Sequence, residues 1–123
     1  MTKKTEKTAF DKLFKTDNTE EQTQPFLSNR SSNKTATTLT FKLPEQATVL
    51  PYSYLRRTDF KPKEGITLHY AGTIVKIHGK LLLPLFEAIS RQKAFYVEQN
   101  NPKYQTEEED QTWIDEIEIS DAL

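Results

Sequence analysis

The sequence predicts a small α+β domain: a mainly antiparallel sheet with one main helix, in a β-β-hairpin-α-β core, flanked by a disordered N-terminal arm and an acidic C-terminal tail. Three stretches carry that prediction. Thr37 to Leu43 alternates apolar and polar residues, Gly65 to Gly79 reads as two alternating runs around Ala71-Gly72, and Leu82 to Ile89 repeats its apolar residues at helical spacing. The boundaries follow from where these signals start and stop: a polar arm over 1–36, a domain over 37–104 and a tail over 105–123.

The arm is rich in Thr, Lys, Asn, Gln, Glu and Ser, with apolar residues too sparse to repay the entropy of ordering them. Within it Phe10, Leu13 and Phe14 have the i, i+3, i+4 spacing of one helix face, suited to a partner's groove, and Pro25-Phe26-Leu27 is a weaker stretch of the same kind. In the first strand Leu39, Phe41 and Leu43 share a face, and Pro44 ends it. Val49 to Leu55 reads in two ways: an edge strand or bulge around Pro51, or a short helical turn beginning after that proline.

Lys61-Pro62-Lys63-Glu64-Gly65 is punctuated as a turn. If Ala71-Gly72 then closes a two-residue hairpin, Tyr70 faces Thr73, Leu68 faces Val75 and Ile66 faces Ile77, which puts every large residue of that set on one face. His69, Ile74, Lys76 and His78 fall on the other. A helix follows, with Leu82, Leu85, Phe86 and Ile89 inward and Pro84 acceptable only in its first turn. Ala94 to Glu98 is the last expected strand, added to the same sheet. A folded region of about 60 residues lies near the lower limit for an independent domain, which points to marginal stability or a homodimer.

Composition narrows the chemistry. The chain has no cysteine, so disulfides, thiolate zinc sites and cysteine nucleophiles are excluded, and no apolar run reaches the length of a signal peptide core or a membrane span. A cytoplasmic protein without membrane attachment is expected. The net charge of −1 hides an asymmetry: nine Lys/Arg against four Asp/Glu over 49–104, then eight acids and no base over 105–123.

His69 and His78 are the only histidines; in the hairpin register they lie diagonally on the solvent face, and the sequence alone supplies no further ligands at metal-site spacing, so no metal or cofactor is expected. Glycines at 65, 72 and 79 fit the start, turn and end of one hairpin and make no phosphate-binding pattern. The basic residues Arg56, Arg57, Lys61, Lys63, Lys76, Lys80, Arg91 and Lys93, interleaved with Tyr52, Tyr54, Phe60 and Tyr96, could supply phosphate contacts and stacking rings. The tail mixes Trp113, Ile114, Ile117 and Ile119 with acids, the composition of a segment that either packs back on the basic sheet or binds another protein.

These readings point first to a non-enzymatic interaction or adaptor protein that binds protein partners through Phe10, Leu13 and Phe14, through Trp113, Ile114, Ile117 and Ile119, and through its sheet face. The alternative is a nucleic-acid-binding accessory protein that uses Arg56, Arg57, Lys61, Lys63, Lys76 and Lys80, with the acidic tail competing for that surface. An enzyme built on His69 or His78, with Asp59 or Glu98 as its carboxylate, ranks behind both.

Overall fold

The computed structural model of the chain describes residues 25–29 and 34–122. Among them are eight strands and one α-helix: β1 (Phe26–Ser28), β2 (Thr38–Leu43), β3 (Gln46–Pro51), β4 (Leu55–Lys61), β5 (Gly65–Tyr70), β6 (Thr73–Lys80), α1 (Leu83–Ser90), β7 (Ala94–Glu98) and β8 (Trp113–Asp121). They form an α+β fold of two four-stranded sheets, ordered β1-β7-β2-β3 and β4-β5-β6-β8. All neighbours are antiparallel except β2 and β7. No helix among the described residues is long and apolar enough to cross a membrane.

The alternating residues do what their period requires. Leu39 and Phe41 of β2 are fully buried, and β5 and β6 pair Ile66 with Ile77, Leu68 with Val75 and Tyr70 with Thr73, the expected register. Gly72 makes that turn possible by taking a φ of +86°, which an L side chain resists. Both readings of Val49–Leu55 are realised in succession, because β3 is an edge strand that runs to Pro51 and a single 3-10 turn, Tyr52–Tyr54, follows it. Helix α1 carries Pro84 in its first turn, where the missing N–H costs nothing, and buries Leu85 and Ile89.

The two sheets and the helix share one core. Phe41 of the first sheet meets Tyr70 of the second edge to face, with ring centroids 6.5 Å apart, and Phe86 of α1 stacks on Phe60 of β4 at 5.3 Å. The Tyr52 hydroxyl, brought inward by the 3-10 turn, donates to the Ala94 carbonyl at 2.6 Å and so ties the β3–β4 corner to β7.

Three expectations are corrected. First, Phe26–Ser28, assigned to the disordered arm, forms β1 against β7, and Phe26 packs on the core. Second, the single sheet is two: β7 leaves the hairpin's sheet and pairs in parallel with β2, Thr40 opposite Tyr96 and Phe41 opposite Val97. Third, the tail is not a free segment from residue 105 onward, because Trp113–Asp121 forms β8, paired along β6 from Thr73↔Asp121 to Lys80↔Trp113. Trp113, Ile114 and Ile117 are buried and Ile119 packs against the core. Burying such side chains contributes about 1.5–3 kcal/mol each, which is more than a solubilising tail would gain by staying in water.

The outer edge of β8 is partly sealed by the residues that leave β7. Asn100 Oδ1 accepts the Ile114 N–H at 2.7 Å, the Asn100 N–H donates to the Ile114 carbonyl, and Gln99 Oε1 accepts the Ile117 N–H at 3.0 Å. Asn100 is buried, and these bonds explain how a polar side chain is tolerated there.

Candidate functional site

With the inner faces consumed by the core, the outer face of the second sheet brings Arg57, Asp59, Lys76, Glu116 and Glu118 together with the two histidines. Register decides who meets whom. Arg57 of β4 lies opposite His69 of β5, and Asp59 opposite Thr67. On the far side, Lys76 of β6 lies opposite Glu118 of β8 and His78 opposite Glu116. Because strands advance about 3.3 Å per residue, His69, which faces Ile74, is some four residues from His78 along the sheet. The two histidines therefore belong to separate clusters.

In the first cluster the Asp59 carboxylate holds the His69 ring through Nε2 at 3.1 Å and accepts from Arg57 Nε at 3.1 Å. Those contacts, the Arg57 hydrogen bond foremost and its charge and the His69 bond after it, hold the Asp59 carboxyl below its ordinary range. In the second cluster His78 Nε2 stands 3.8 Å from Glu118 Oε1, and one donor atom each from His78, Glu116 and Glu118 lie within 4.8 Å of one another. The sequence alone shows two histidines without further ligands at metal-site spacing; the pairing of β8 with β6 supplies two carboxylates that lie far from His78 in sequence.

The basic constellation does not assemble as one surface. Arg57 is paired with Asp59, Lys61 with Glu64 at 3.9 Å, and Lys80 with Glu107, whose carboxylate keeps the ammonium above its usual range. Lys76 faces Glu118 across the ladder, whereas Arg56 and Lys63 make no ion pair among the described residues. The interleaved rings mostly turn inward: Tyr52 is buried, Phe60 stacks on Phe86, and Tyr96, half-buried beside Glu98, has its hydroxyl pushed up to about 12 by burial first and by the Glu98 charge second. Tyr54 is the ring of the set that stays exposed.

Of the expected protein-binding residues, Phe10, Leu13 and Phe14 lie outside the described residues. Trp113, Ile114 and Ile117 are core residues, so they are not available as a docking segment in the folded chain. What the sequence reading missed is the corner between β6 and α1. Leu82 is buried, but Leu81 and Leu83 on either side are each 49% exposed, and Leu81 holds a left-handed φ of +51°. A signal existed in the run Leu81-Leu82-Leu83, since one helix face cannot bury three successive residues.

No family model, curated protein or solved structure matches the chain.

Proposed function

We propose that the chain is a non-enzymatic, cytoplasmic interaction module that binds a protein partner, with the corner formed by Leu81, Leu83 and Pro84 as its point of attachment. One observation carries this reading: Leu81 keeps a large apolar side chain half in water on a backbone conformation that costs a non-glycine residue about 1–2 kcal/mol. Glycine or asparagine would relieve that cost, and the core gains little from a leucine so exposed. Strain of this kind is characteristic of sites where the side chain has another use. The Thr112 hydroxyl donates to the Leu81 carbonyl at 2.6 Å, so the loop before β8 holds the corner in place.

A photo-crosslinking residue at Leu83 in the full chain, compared with one at Thr67 on the sheet face, tests the reading. Crosslinking in cell extract to a discrete protein from position 83 alone, lost when Leu81 is changed to Asp, is the expected outcome. Equal labelling from both positions, or labelling of nucleic acid in place of protein, counts against it. Arg56 and Lys63, which make no ion pair among the described residues, support the nucleic-acid alternative as a second reading. That alternative requires salt-sensitive retention on single-stranded DNA, lost in an Arg56→Ala/Lys63→Ala variant.

A further inference from the structure

We propose that His78, Glu116 and Glu118 form a divalent-metal site that fastens the C-terminal strand β8 to β6. The two histidine clusters of the outer face differ in their third member. Beside His69 and Asp59 the third place is taken by the Arg57 guanidinium, so that cluster is already neutralised. Beside His78 and Glu118 the third place is a second carboxylate, Glu116, directly across the ladder. One imidazole and two carboxylates converging on one spot is a ligand set, and the cluster carries more negative charge than its neighbours cancel. Lys76, opposite Glu118, faces it across the β6–β8 ladder. It can occupy one carboxylate as a point charge, whereas a divalent ion engages all three donors at once.

The backbone favours the convergence. The β6–β8 ladder keeps its register from Thr73 to His78 and shifts only beyond it, between His78 and Gly79, so that His78, Glu116 and Glu118 share one face of a regular ladder. An ion bound tetrahedrally with bonds of about 2.0–2.1 Å keeps its ligand atoms about 3.4 Å apart. His78 and Glu118 already stand at 3.8 Å and the full set within 4.8 Å, so rotamer adjustment of solvent-accessible glutamates closes the site. Mixed nitrogen and oxygen donors select borderline ions such as zinc or cobalt over calcium and magnesium, which favour oxygen alone. Water completes the coordination on the open side. Because two ligands come from β8 and one from β6, binding stabilises the edge strand.

Zinc alone is the probe, titrated into the full chain by calorimetry and followed by thermal unfolding. One-to-one binding is expected, weakened at least about tenfold in His78→Ala and in Glu118→Gln and unchanged within about twofold in His69→Ala. The melting temperature of the parent chain and of His69→Ala rises with zinc, and that of His78→Ala does not. All three substitutions are at solvent-accessible side chains, and with no cysteine and only two histidines in the chain the comparison of His78 with His69 is direct. The absence of binding at about 1 mM zinc, undiminished binding in His78→Ala, or equal loss in His69→Ala overturns the proposal.

Discussion

Two tyrosines that look alike in sequence, Tyr52 and Tyr70, are used differently by the core. Both phenols are held above their ordinary range chiefly by burial. Tyr52 donates to the Ala94 carbonyl, but the Tyr70 hydroxyl is buried without a hydrogen-bond partner among the described residues. A satisfied buried hydrogen bond contributes about 1 kcal/mol, and an orphaned polar group costs about 1–3 kcal/mol. Tyr52→Phe is therefore expected to lower stability by about 1–2 kcal/mol, whereas Tyr70→Phe is neutral or stabilising; urea unfolding of the two variants separates them. Asp59 gives a prediction in pH. Its folded carboxyl titrates below the unfolded value of about 3.9, so its contribution is present above that value and is lost as pH falls through the folded one. Asp59→Asn is expected to be less stable than the parent chain at pH 7, with the gap closing as pH drops below about 4. A gap that stays constant down to pH 2–3 would show that the ion pair and the His69 bond contribute nothing.

At the scale of elements, the legible parts of the sequence were those whose period is settled by their own burial. Ile66, Leu68, Val75 and Ile77 must all be inside, so the β5–β6 register had one solution and the ladder has it. β8 carried a comparable signal, because Glu116-Ile117-Glu118-Ile119 alternates with period two. Its acids disguised it, since glutamate is poor in strands and charge runs usually mean solvation. The strand forms because its acids all lie on the water side or at the edge, leaving the isoleucines to the core. Gly79 shows how closely that strand is fitted. A Cβ there would run into the Trp113 carbonyl oxygen, a backbone atom that cannot swing aside, while a Cβ on Gly72 would meet nothing and would only strain the turn. Gly79→Ala is therefore expected to cost about 2–3 kcal/mol and Gly72→Ala about 1–2 kcal/mol. Equal losses in thermal melts would mean that β8 yields at its first residues.

For the whole molecule, the assignment of strands to sheets was the part that local pattern could not reach. Ala94–Glu98 reads equally well beside the hairpin or beside β2, and the choice follows from α1, which carries the chain from the second sheet across the shared core to the first. The metal-capable cluster was hidden for the same reason, since His78 and Glu118 are neighbours only once β6 and β8 pair. The boundaries of the folding unit move accordingly. A fragment restricted to 37–104 lacks β1 and β8, which leaves β7 and β6 as open edges and removes Trp113, Ile114 and Ile117 from the core. Three such side chains at about 1.5–3 kcal/mol each amount to much of the 5–15 kcal/mol by which domains are ordinarily stable. That fragment is expected to unfold without a cooperative transition and to bind a hydrophobic dye, while a chain from residue 25 to 123 melts sharply. A cooperative melt of the 37–104 fragment within a few degrees of the full chain would mean that β1 and β8 are ornaments on a self-sufficient core.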